Sequence, residues 1–234
     1  MQNDYPFRRF IIKNSYLLII AAWFITISFI IDNYLSGNSS VAAVRNNIEN
    51  YIQKQEKDFE KLMQDTALIK KINDNKFDED QLKQLTGKKY FFYRYFVNDI
   101  GLHQLIFWNT QTVLPSSGLL SSFNNSGFIE LENGFYAWRK VSSPGSISVA
   151  LIPVKWNYFV TNTYLRNSFV IGKDLENNYD ISTQPNNPSV QSIDGNRLFY
   201  LAEKPNSIIQ KNNQAAIWFR ILAAICVLLF IHLL

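Results

Sequence analysis

The sequence predicts an α+β fold: a long α-helix, then an antiparallel sheet, with an apolar helix on either side of the two. Three observations predict it. An apolar run lies near each end of the 234-residue chain. Directly after the first run, apolar residues recur at steps of three and four, the period of a helix packed on one face. From residue 88 to 203, short aromatic-rich segments are separated by turn residues, the pattern of hairpin-connected strands. Helix first and strands after, without βαβ alternation, gives an α+β architecture.

Residues 14–31, NSYLLIIAAWFITISFII, contain no Asp, Glu, Lys, Arg or His. A helix needs about 20 mostly apolar residues to cross a bilayer core, so 15–32 is expected to be a first transmembrane helix. Arg8, Arg9 and Lys13 precede it. Short basic flanks stay in the cytoplasm, which puts 1–14 inside and residue 33 onward outside. A signal peptide has a shorter apolar part and a small-x-small cleavage site; Ser36-Gly37-Asn38 fits that poorly. Residues 215–234, AAIWFRILAAICVLLFIHLL, are the second expected span. Their one charge, Arg220, lies near the outer end, where a long cation can reach the headgroups. A buried helix of a soluble domain would show a polar face, and Ile221–Ile231 has none. No basic flank follows this run, and a cytoplasmic output region is expected outside these 234 residues.

Four of the 23 basic and two of the 19 acidic residues lie outside 33–214, leaving 19 and 17 in that stretch. So balanced a domain carries no nucleic-acid footprint. The single cysteine, Cys226, is in the second apolar run, so no disulfide can hold the central domain. It must fold on its core, in which aromatics are a large contribution. A cysteine-free exported domain fits a bacterial periplasm, hence a multi-pass inner-membrane protein.

After a polar break at 34–40, with Ser39 or Ser40 as cap, a helix is expected over 41–73. Its stripe runs through Val41, Val44, Ile48, Tyr51 or Ile52, Phe59, Leu62 or Met63 and Ile72, and weakens around Lys54–Asp58. It can pack on the sheet or pair with a second copy. A short helix over 78–85 ends at Gly87. Strands follow at 88–97 and 102–109 around Asn98–Gly101, then a loop over 115–127, then strands at 135–141 and 146–154 around Pro144-Gly145. Residues 156–158 and 161–169 read as a short helix or an irregular crossing. A strand at 179–183, a turn at 186–188, and a hairpin of 189–193 and 197–203 around Asp194-Gly195 complete the domain; Asp-Gly between apolar runs is a strong hairpin signal.

Neither histidine has partners at metal-ligand spacing, and no G-x-S-x-G, phosphate-binding or dinucleotide motif occurs. Asp78–Asp80 reads as a solvated turn, and Glu130 and Glu132 as exposed strand residues. The chain is therefore not expected to be an enzyme or to need a cofactor. The residues suited to a small anionic or zwitterionic ligand are Tyr93, Arg94, Trp108, Tyr136, Trp138, Arg139, Lys155 and Trp156, aromatics interleaved with cations. Strand alternation puts Tyr136 and Trp138 on one face and Arg139 on the other, so the set shares one pocket only if that pocket wraps an edge.

Three stretches, LIFWNTQTVLP (105–115), ENGFYAWRKV (132–141) and VALIPVKWNYFVTNTYLRNSF (149–169), together with the span–helix–sheet–span layout, resemble the sensory part of bacterial membrane histidine kinases with Cache-type, PAS-like domains. The resemblance implies a homodimer, a ligand pocket on the sheet, and signalling by movement of the second span relative to the first. The arginine–tryptophan–tyrosine cluster with a downstream aspartate, used by amino-acid-binding members, is not found here, so their ligand is not carried over. Kinase phosphoacceptor and ATP-binding motifs are absent as well. The alternative from the residues alone is a membrane-anchored protein-binding or structural ectodomain.

Overall fold

The computed structural model describes residues 14–36, 41–185, 187–205 and 214–233. The basic flank Arg8–Lys13, the Ser39/Ser40 cap, Asn186 of the expected turn and the lead-in 206–213 lie outside the described residues. The described helices are α1 (Tyr16–Ser36), α2 (Val41–Gln64), α3 (Thr66–Asn73), α4 (Glu79–Thr86), α5 (Ser117–Ser121), α6 (Leu175–Asn178) and α7 (Gln214–His232). The strands are β1 (Phe91–Val97), β2 (His103–Trp108), β3 (Ser126–Leu131), β4 (Gly134–Ser143), β5 (Ser146–Trp156), β6 (Ser168–Phe169), β7 (Tyr179–Ser182), β8 (Ser189–Gln191) and β9 (Arg197–Glu203). The fold is α+β, with antiparallel pairing in both sheets. The chain divides into two compact units, 1–44 with 208–234, and 45–207.

In the first unit α1 and α7 pack side by side. Small residues form the seam: Ala21 and Ser28 on α1, Ala216 and Ala223 on α7, all buried and seven apart on each helix. Small side chains let helix backbones approach closely. Phe24 and Phe219 meet with ring centroids 5.8 Å apart. Ser28 Oγ donates to the Ala216 carbonyl at 3.1 Å and accepts from Arg220 Nε at 3.0 Å. The outer faces, including Ile19, Trp23, Phe29 and Leu228, are exposed. Among the described residues, Ala215–His232 is the one helix long and apolar enough to cross a membrane; the apolar part of α1, Tyr16–Ile31, is shorter. Two transmembrane helices are thus not supported by the described helices, because the polar residues from Asp32 cut the apolar part of α1 short.

In the second unit the main sheet runs β2-β1-β5-β4-β3, with β6 paired to β5, and a smaller sheet runs β7-β9-β8. The expected single helix over 41–73 is instead two helices. Asp65 breaks it: its side chain accepts from the Leu68 backbone N–H at 3.0 Å and caps α3. Only Asn, Asp, Ser and Thr favour that role over continuing the turn. Of the paired stripe alternatives, Ile52 and Leu62 are the buried ones. Phe59 joins α2 to the sheet, its ring 6.0 Å from Phe92 and 5.9 Å from Tyr90. Asp78 is more than a solvated turn residue, since it forms a capping box with Gln81 at the start of α4.

The opposite face of the sheet carries the core cluster of Tyr93, Tyr95, Tyr136, Trp138, Val149 and Leu151, covered by Val113, Leu119 and Leu120. The expected loop over 115–127 holds α5, which supplies two of these covering residues. It also runs into β3, whose first residues, Ser126 and Gly127, fall in the expected loop; Glu130 is an exposed strand residue, while Glu132, read as one too, lies in the β3–β4 turn. Gly127 is needed there: a Cβ would come within 2.6 Å of the Trp138 ring. The two sheets meet where Phe128 of β3 lies 4.4 Å from Phe199 of β9.

Candidate functional site

The expected ligand residues do not converge. Tyr93, Tyr136 and Trp138 fill the core on one face. Tyr93 donates its hydroxyl hydrogen to the Val113 carbonyl, and Tyr136 donates to Asn133 Oδ1 at 2.7 Å. Trp108 pairs with Tyr93 across the outer strand β2 and is partly exposed. Trp156 packs on Phe91 and Tyr136 and stacks with Tyr158.

The cations fall into two groups. Arg139 is buried between α2 and the 192–196 turn, where its guanidinium donates to Glu60 and to both oxygens of Asp194. Burial would lower its pKa, but the bonds and charges of Asp194 and Glu60 outweigh this and raise it. Lys155 is buried too, with Asp180 at 2.7 Å and Glu176 at 3.0 Å. Both charges are paired with internal acids, as buried cations require.

Arg94 is different. It lies on the α2 side of β1 and is 7% exposed. Its Nε donates to Asn73 Oδ1 at 2.6 Å, Nη1 to Ser148 Oγ at 2.6 Å and Nη2 to Ser146 Oγ at 3.2 Å. Every partner is neutral, and burial lowers its pKa. Arg94 also lines an open surface groove of about 550 Å³ at the sheet end, with Asn73, Phe96, Gln104, Ile106 and the β4–β5 turn around it, most of them exposed. Among the described residues Lys140 is the other buried cation without an acid; it donates to the Leu120 and Ser122 carbonyls at the end of α5, where the helix dipole favours a positive charge. A second cleft, of about 690 Å³, opens beside Trp156, Tyr158, Arg166 and Lys173.

Sequence reasoning missed Asn73, Ser146 and Ser148, which position Arg94 from three separate segments and have no motif of their own. It also missed Glu56. That residue falls four after Ile52 in the apolar stripe, inside the stretch where the stripe weakens, and its side chain is fully buried. Oε2 accepts from the Ile193 backbone N–H at 2.7 Å, while Oε1 has no hydrogen-bond partner. Burial pushes its pKa up to about 7; Asp194 and Glu60 add to this, while the Ile193 N–H and Arg139 oppose it.

No family model, curated protein or solved structure matches the chain. Among the described residues no group of three or more His, Cys, Asp or Glu is placed to hold a metal ion.

Proposed function

We propose that the chain is the sensing and membrane-anchoring module of a bacterial sensor histidine kinase, with a PAS-like, Cache-type domain in the periplasm. It works as a homodimer, binds a small molecule and passes the signal to a cytoplasmic kinase region. The observation that carries this reading is the strand order β2-β1-β5-β4-β3. It places β1 and β5 side by side in the middle of an antiparallel sheet, as in PAS-like domains. Three further features support it. A long helix is packed on one face of the sheet, a groove opens on the sheet, and α1 pairs with the span-length α7. In this reading α1 and α7 both sit in the bilayer, and the exposed apolar faces of Trp23, Phe29 and Leu228 meet lipid. Signal passes as a small shift of α7 against α1, driven by the ligand's differential affinity for two arrangements.

A second reading, a protein-binding ectodomain, is favoured by the exposed aromatics Phe159 and Tyr164. They lie close in sequence, on the segment between β5 and β6.

The topology is tested by labelling a Phe123→Cys variant in a Cys226→Ser background with a membrane-impermeant maleimide. Phe123 is fully exposed, so labelling reports its compartment. Labelling with the inner membrane intact is expected; labelling only after that membrane is broken overturns the proposal. In a kinase-fused chain, loss of signalling on Phe159→Ser with ligand binding intact favours the protein-binding reading.

A further inference from the structure

We propose that the Arg94 groove is a binding site for a small monocarboxylate with a short apolar body. The inference rests on the sensing function proposed above and names the ligand class of one groove.

The first step concerns charge. A buried cation is costly unless something negative faces it. Arg139 and Lys155 are matched by Asp194, Glu60, Asp180 and Glu176. The Arg94 guanidinium has only Asn73, Ser146 and Ser148, and among the described residues it makes no ion pair. No residue lining its groove is acidic. The charge is held in place by neutral oxygens and faces an open space.

The second step concerns hydrogen bonds. A guanidinium has five N–H donors. Three are engaged: the one on Nε and one on each Nη. One N–H on each Nη makes no hydrogen bond among the described residues, and a carboxylate is the acceptor that matches their charge. The three fixed bonds stop the fork from turning away, so its ordering is complete before a ligand arrives.

The third step concerns the rest of the ligand. Arg94 is the only cation lining the groove, so one negative charge is matched and a phosphate dianion is not. Phe96, Ile106 and Pro144 give an apolar wall, and Asn73, Gln104, Ser143 and Ser146 give polar groups beside it. The open groove offers about 550 Å³, room for a ligand of a few carbons. An aliphatic acid of a few carbons meets all three conditions.

The test is isothermal titration of the full chain in lipid nanodiscs with sodium acetate, propionate and butyrate. Sodium phosphate and sodium chloride at equal ionic strength are the controls. Saturable heat is expected with propionate or butyrate and not with chloride. Arg94→Gln is expected to weaken that binding at least about tenfold, the scale of a charge-assisted hydrogen bond. Because Arg94→Gln also removes bonds to Asn73 and the serines, Gln104→Glu is measured beside it. This variant keeps Arg94 and offers it an internal carboxylate, so the thermal midpoint should rise and butyrate binding should vanish. No saturable heat with any carboxylate overturns the inference, as does preferential binding of phosphate or undiminished binding to both variants. Maleimide labelling of the Phe123→Cys variant is read in separate cells without ligand. A periplasmic domain that takes no carboxylate therefore defeats this inference and leaves the sensing function standing.

Discussion

Glu56 places a carboxyl on the buried face of α2, with one oxygen bonded to Ile193 and the other without a partner. Burial raises its pKa from 4.5 to about 7. A carboxyl that holds its proton more tightly when folded stabilises the fold fully below the unfolded value, and that contribution is lost as pH rises through the folded value. Thermal stability of the wild type should therefore fall between about pH 4.5 and pH 7 on account of this group. Glu56→Gln keeps the shape and the bond from Ile193, and should flatten that part of the profile and be the more stable protein above pH 7. Calorimetric midpoints across the range check it; parallel profiles for the two proteins refute it. A second prediction at this scale concerns Gly127, above which the Trp138 ring leaves no room for a methyl group. Gly127→Ala should cost about 1–3 kcal/mol, as overpacking does in a filled core, read as a drop in denaturant midpoint at constant slope.

At the scale of elements, the break between α2 and α3 depends on one side chain. Asp65→Ala removes the cap on the Leu68 N–H and should cost about 1 kcal/mol, measured by urea unfolding; Asp65→Asn should restore most of it. The sequence made the apolar stripe of this region legible but not its interruption, because Asp65 reads equally well as a residue on a solvated face. The hairpins were legible for a local reason. Gly101, Gly145 and Gly195 occupy left-handed backbone (φ 78°, 69° and 78°) in the turns. β3 was legible only at Glu130, read as an exposed strand residue; its start was not, because the fit of Gly127 to Trp138 is long-range. The candidate site was legible only in part. Arg94 stood out as a cation among aromatics, yet so did Arg139 and Lys155, and nothing local separates them. What separates them is the position of acids brought in from elsewhere: Asp194 and Glu60 for one, Asp180 and Glu176 for the other, none for Arg94.

For the molecule as a whole, the proposed signalling function would route a signal through the α1–α7 helix pair. The pairing of Ser28 with Ala216 and of Phe24 with Phe219 fixes an antiparallel register that brings Ala21 opposite Ala223. Cysteines at those two positions, in a Cys226→Ser background, should therefore crosslink readily, and cysteines at Trp23 and Leu228 on the exposed faces should not. Equal crosslinking of both pairs would contradict the register. The Ser28 hydroxyl adds a mechanical property to this pair. It donates to a backbone carbonyl of the facing helix and accepts from Arg220 at the same time. In the proposed bilayer setting neither bond would have water to replace it, so α7 would not slide by degrees past this point. It would rest where both bonds are made or move to a position where Ser28 and Arg220 find other partners. The contact would then behave as a detent, which holds the helices against thermal jitter and lets a sufficient force move them in one discrete step.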